Sequence, residues 1–278
     1  MKDMSRRSFL KAGTAATAAL AMAPTDVLGK AKATKKNVPT GKIKLLGEGV
    51  GGRGHADINA VTYKGKNEIY DDIEFIGMCD VDFKYAKGVL EEYQKLFPNM
   101  KVYNDYKKMY AELLDKADAV ICGTADHTHA IICAEALAAG KHVYCEKPLT
   151  RTVYESRLLT KLAAKAGVAT QMGNQGSSGE GVNLTCEWIW NGEIGEVTRV
   201  DAFTDRPIWP QGLERPEEVH EIPSTLNWDA FIGPAPKRPY NSIYHPWNFR
   251  GWWDFGTGAL GRCLAGRDAS GRASGSCG

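Results

Sequence analysis

Short apolar runs recur between residues 43 and 172, and stretches with helical spacing separate them. Residues 43–47, 73–79, 119–122, 142–146 and 168–172 are rich in apolar and β-branched side chains and have the length of strands covered on both faces. Between them, residues 53–62, 83–97, 106–114, 130–139 and 153–166 space their apolar positions three and four apart. In one of these, Met109, Leu113 and Leu114 share a face. Gly140 and Gly167 follow the last periodic positions of two such stretches, where glycine ends a helix. This alternation predicts an α/β fold with a parallel sheet and right-handed crossovers over residues 41–175.

Beyond residue 175 the rhythm changes. Residues 181–190 have helical spacing, and residues 197–204 alternate like a half-exposed strand. Residues 206–258 are rich in Pro, Trp, Gly and Tyr, the composition of an ordered excursion that lines a site or an interface. Residues 176–261 therefore read as the start of a second, incomplete α+β domain for substrate binding and oligomerisation. The tail 262–278, mostly Gly, Ser, Ala and Arg, has one leucine and no period, and reads as disorder or as a shifted reading frame. The chain has no internal repeat.

The first forty residues are a signal and linker. Ser5-Arg6-Arg7-Ser8-Phe9-Leu10-Lys11 is a twin-arginine pattern, and the small apolar run 12–23 behind it is too short to span a membrane. It predicts export of the folded chain to the periplasm, with Ala21-Met22-Ala23 and Ala31-Lys32-Ala33 as candidate cleavage sites. The formal charge of +2 hides an uneven distribution: residues 1–36 carry +6, the tail carries +2, and the body is left at −6. An acidic body without a basic stripe argues against nucleic acid. No stable membrane span is expected once the signal is removed. Of seven cysteines, Cys79, Cys122 and Cys145 fall in strand-like runs, and Cys133 and Cys186 in helix-like ones. No pair has CxxC spacing, so buried free thiols are expected, with no metal site.

The chemistry concentrates where strands end. Gly49-Val50-Gly51-Gly52-Arg53-Gly54 fits G-x-G-x-x-G between a strand and a helix, the arrangement that brings backbone N–H groups to a pyrophosphate. It marks residues 41–175 as a Rossmann-type domain. Glu48 is an oddity, a carboxylate beside the place of a phosphate. Asp80 closes the second strand. A carboxylate there accepts both ribose hydroxyls of an adenosine and repels a 2′-phosphate, which favours NAD over NADP. Asp82 caps the helix that follows. Thr124 and Asp126, with His127 and His129, follow a third strand. They suit a cofactor and substrate wall better than zinc, although Asp126 could be a helix cap and the histidines surface residues. Glu146-Lys147-Pro148 ends the fourth run, putting an ammonium at the carboxyl edge where open α/β sheets bind ligands. Lys147-Pro148 is a candidate cis bond. Asn174 and Gln175 follow the last strand and could hold substrate hydroxyls, or form a plain turn. Residues 244–253 hold Trp247 and Arg250 in an aromatic-dense stretch that suits a carbohydrate ring or an interface equally well.

Together GVGGRG, CDVD, GTADHTHA, HVYCEKPLT, MGNQG, LNWDAFIGPAP and WDFGTGALG resemble the Gfo/Idh/MocA oxidoreductases, the family of glucose–fructose oxidoreductase and inositol dehydrogenase. The resemblance runs from about Lys42 to Gly261. It implies hydride transfer between NAD and a sugar, inositol or related polyol, with Lys147 at the reacting hydroxyl and His127 and His129 beside it. It also implies a cofactor held by Gly49, Gly51, Gly52, Arg53, Gly54, Asp80, Thr124, Asp126, Glu146 and Lys147. Ala125 stands where the family has proline. Beyond Gly261 the family continues with G-x-L-x-D, a nearby histidine, and an open-faced sheet used for oligomerisation; this sequence departs from that pattern. Two other readings stand beside the dehydrogenase: an NAD-dependent glycosidase or lyase that oxidises a sugar transiently, and an inactive nucleotide-binding remnant.

Overall fold

Leu45 and Leu46 are neighbours on the first strand, point to opposite faces of the sheet, and are both buried. One joins a core with Ile58, Phe75 and Tyr93; the other joins Met109, Val120, Ile132 and Val143. A sheet that is apolar on both faces needs a helical layer on each, and the intervening helices supply them. The computed structural model describes residues 41–65, 68–201, 209 and 212–258. The signal and linker, most of residues 202–211 and the tail lie outside the described residues.

The strands are β1 (Ile43–Glu48), β2 (Ile73–Cys79), β3 (Lys101–Tyr103), β4 (Ala119–Cys122), β5 (His142–Glu146) and β6 (Thr170–Gly173). The helices are α1 (Arg53–Thr62), α2 (Phe83–Leu96), α3 (Tyr106–Leu113), α4 (His129–Ala138), α5 (Val153–Ala166), α6 (Glu180–Trp190) and α7 (Trp228–Ile232). All pairings are parallel and the order is β3-β2-β1-β4-β5-β6. This is the doubly wound Rossmann order, and its switch point lies between β1 and β4. The register brings Cys79, Glu48, Cys122 and Cys145 abreast, so the loops after β1, β2, β4 and β5 leave from one carboxyl edge.

Helix ends follow the local chemistry. Asp82 caps α2 by accepting from the N–H groups of Lys84 and Tyr85, as its sequence position implied. Thr152 and Glu155 form a reciprocal capping box on α5, and Gly167 ends that helix at φ 64°. Thr152→Ala removes one side of the box. It is expected to cost about 1 kcal/mol, read as a melting temperature lower by about 3 °C.

A third apolar cluster lies over the carboxyl edge. Trp228, Phe231, Tyr240, Tyr244, Trp252 and Phe255 pack together and against Val81 and Ala125 of the edge loops. Backbone bonds fasten it: Phe83 N–H to Thr225 O (3.0 Å) and Asn227 N–H to Val81 O (2.8 Å). Two expectations change here. Residues 197–201 form no strand: Val197 and Val200 are exposed, and among the described residues no strand pairs with them; residues 202–204 lie outside the described residues. The short β3 was not foreseen, because three residues at a sheet edge carry too little periodicity to read.

Candidate active site

The turn from β1 into α1 needs its glycines for room. Gly49 has φ 68°, and a Cβ there would come within 2.6 Å of Thr124 Cα. A Cβ on Gly54 would lie 1.9 Å from Gly49 O, and one on Gly123 would lie 2.6 Å from Gly54 Cα. Three backbone segments, after β1, at the start of α1 and after β4, therefore touch. Gly52 is the N-cap of α1 and provides no side-chain acceptor, and the first turn carries no acidic residue. The N-terminal N–H groups of α1 are thus left for an anion.

Asp80 completes this cradle from β2. One carboxylate oxygen accepts from Gly51 N–H and the other from Asp82 N–H, both at 3.0 Å. Burial pushes its pKa up to about 6, against the pull of these N–H bonds. Beside the cradle is a cavity of about 470 Å³ that Gly49, Gly51, Asp80, Thr124, Trp247 and Arg250 help to line. The donors, the acceptor and the cavity fit a dinucleotide. The anionic Asp80 accepts ribose hydroxyls, and a proton on it competes. NAD affinity is therefore expected to fall about tenfold between pH 7.5 and pH 5, and Asp80→Asn is expected to remove that dependence in a fluorescence titration.

Glu48 proves compatible with a nearby phosphate. It is wholly buried, and burial followed by the charge of Cys122 pushes its pKa well up, which favours the uncharged acid.

The Glu146-Lys147-Pro148 segment ends β5 with a cis bond before Pro148. Lys147 is half-buried at the carboxyl edge. Glu146 is the hub beneath it, accepting from Arg53 Nε (3.4 Å), Tyr144 Oη (3.3 Å), Lys147 N–H (3.2 Å) and Gln175 Nε2. Arg53 also meets Asp57 at 3.0 Å. Asp57 was not singled out in the sequence, although Arg53 and Asp57 are one helical turn apart just after the glycine loop. Burial first, and then the charge of Glu146, raise its pKa to about 7. Asp57 thus takes up a proton near neutrality beside Glu146.

Other expected residues fall elsewhere. His127 and His129 are buried, and neither ring lines the cavity. His127 lies 2.7 Å from Phe231 O and 3.1 Å from Phe255 O, and burial lowers its pKa to about 4. His129 lies 2.7 Å from Pro148 O and 3.0 Å from Thr124 O. Both rings are occupied by main-chain carbonyls and act as struts behind the edge. Asp126 accepts from Thr257 N–H (3.3 Å) and Oγ1 (3.2 Å), so it ties the loop after β4 to the aromatic layer, and its side chain caps no helix. Gln175 spends its amide on Tyr144 (2.7 Å) and Glu146, whereas Asn174 keeps a buried Oδ1 with no partner. Trp247 and Arg250 stack on one another at 4.3 Å on the wall shared with Gly49 and Asp80, away from Asn174. Most of the remaining aromatic stretch is core, as Tyr244, Phe249 and Trp252 show.

Fold and cradle define a Rossmann dinucleotide-binding domain. The chain belongs to the Gfo/Idh/MocA family: its model for the "oxidoreductase family, NAD-binding Rossmann fold" matches residues 44–174, and the one for the family's C-terminal alpha/beta domain matches residues 191–265. A twin-arginine translocation signal matches residues 3–23, which marks the chain for export across a membrane. Among the described residues no helix is long and apolar enough to cross one. Inositol 2-dehydrogenase of Salmonella typhimurium is 30% identical over 182 residues, covering 65% of this chain and 50% of that protein. Alpha-N-acetylgalactosaminidase of Shewanella oneidensis is 26% identical over 217 residues, covering 73% and 46%. The chain thus spans half or less of the length of these curated relatives. Among solved structures, myo-inositol dehydrogenase from Lactobacillus casei in complex with NAD(H) and myo-inositol is 22% identical, with TM-score 0.46, covering 55% and 43%.

Proposed function

We propose that this chain is the cofactor-binding part of an NAD-dependent dehydrogenase acting in the periplasm on a sugar, inositol or related polyol. The observation that carries the reading is the position of Lys147, at the end of β5 on the edge that also bears the glycine cradle and Asp80. When bound, NAD would supply the hydride acceptor. Lys147, as the neutral amine, would hold the hydroxyl oxygen of the carbinol carbon and take up its proton as the carbonyl forms. Glu146, fixed by Arg53, Tyr144 and Gln175, orients the lysine backbone. Asn174 offers its unpartnered Oδ1 to a second hydroxyl. His127, His129 and Asp126 fix the edge, while Trp247 and Arg250 close the cofactor cavity.

The inositol dehydrogenase relative supports the polyol class. The test is NADH formation by the full chain with inositols, aldoses and alditols in turn. The reading fails if NAD binds and none of these is oxidised. A second reading has its own support, since the alignment with the N-acetylgalactosaminidase covers more of this chain than that with the inositol dehydrogenase. In that case a nitrophenyl glycoside is cleaved with no net NADH.

A further inference from the structure

Three cysteines that lie far apart in sequence meet behind the cofactor edge. Cys122 and Cys145 are register partners on adjacent parallel strands, and Cys133 comes down from α4 onto the same face. Their sulfurs lie within 4.8 Å of one another, and all three residues are at most 1% exposed. We propose that this trio is a binding site for a soft monovalent metal ion, cuprous copper.

Geometry and ligand chemistry select the ion. Thiolates favour soft ions such as Cu(I) and also take Zn(II). Metal–sulfur bonds of about 2.3 Å in a trigonal plane put sulfurs about 4 Å apart, within reach of this cluster by small side-chain adjustments. Structural zinc requires a fourth ligand, and among the described residues no other Cys, His, Asp or Glu joins the group. His129, the adjacent imidazole, is spoken for: each ring nitrogen faces a carbonyl oxygen, Pro148 O at 2.7 Å and Thr124 O at 3.0 Å. The ring is therefore held between main-chain carbonyls and is not a ligand. Thr124 Oγ1 lies 3.4 Å from Cys122 Sγ.

Each sulfur binds as a thiolate, and each thiol releases its proton to solvent as the ion enters. A twin-arginine client is exported folded, so the ion enters while β4, β5 and α4 close over it.

The test uses the full chain produced in cells supplied with copper, and passed through gel filtration with excess bathocuproine disulfonate. Expected are about one retained copper per chain and a thiolate-to-copper absorption band, both unchanged in C186S/C263S/C277S. Cys133→Ser and, separately, the apolar Cys133→Ala are expected to lower retained copper about tenfold or more, with an unchanged far-UV spectrum. Cells supplied with zinc instead are expected to yield chain without metal. Absence of copper from both the wild type and C186S/C263S/C277S overturns the proposal. So does copper that survives Cys133→Ala, or that disappears in C186S/C263S/C277S.

Discussion

Gly54→Ala is expected to abolish NAD binding and to destabilise the chain by about 3 kcal/mol. The added methyl would lie 1.9 Å from Gly49 O and 3.0 Å from Gly49 C, and these are backbone atoms that cannot rotate away. Relief requires the glycine loop and the start of α1 to separate, and both hold the pyrophosphate position. The affinity loss is about a hundredfold or more, read by NADH fluorescence, with the stability change read by urea denaturation. Gly88→Ala is the matched control. It sits exposed in α2 with nothing within 4 Å of the added Cβ, so it is expected to add about 0.5–1 kcal/mol and leave NAD affinity unchanged.

The contrast between these two glycines shows what a sequence can reveal. Gly54 sits in a spaced motif between a strand and a helix, and its constraint is local enough to be read from order alone. The same holds for Asp80 and Asp82, each placed by the end of β2. His127 and His129 were legible as being near the edge but not as to their direction. Apart from Thr124 O, five residues from His129, their partners are carbonyls of Phe231, Phe255 and Pro148, between 19 and 128 residues away along the chain. Gln175 likewise looked like a substrate ligand because its partners Tyr144 and Glu146 lie on another strand. Trp247 and Arg250 were grouped with Asn174 by chemical type, whereas the fold separates them, because the aromatic layer packs on the loops after β2 and β4. The three core thiols carried no spacing signal at all, since strand register and a crossover helix bring them together. Local turn chemistry is written in consecutive residues; side-chain direction is decided by distant contacts.

Lys147→Met is expected to lower the turnover of a polyol about a thousandfold, within the range for loss of a positioned proton acceptor. Methionine keeps the length and the apolar stem but removes the amine, so the packing above β5 persists. NAD affinity is expected to stay within about threefold of wild type, because Gly51, Asp80 and the N-terminus of α1 are untouched. A kcat that falls while Kd for NAD holds assigns Lys147 to the chemical step. Equal losses in both would instead make it a cofactor ligand. Asp57→Asn separates the lysine from its surroundings. Asp57 titrates near 7 chiefly because it is buried and then because Glu146 is charged beside it, so above that pH it adds a second negative charge to the Glu146–Arg53 cluster at the end of β5. Removing that charge makes the environment of the ammonium less negative at alkaline pH. That destabilises the protonated lysine, and the pH–rate profile is expected to shift to lower pH in D57N with kcat at its plateau little changed. A profile that does not move would mean that Asp57 holds Glu146 in position without setting the charge at Lys147.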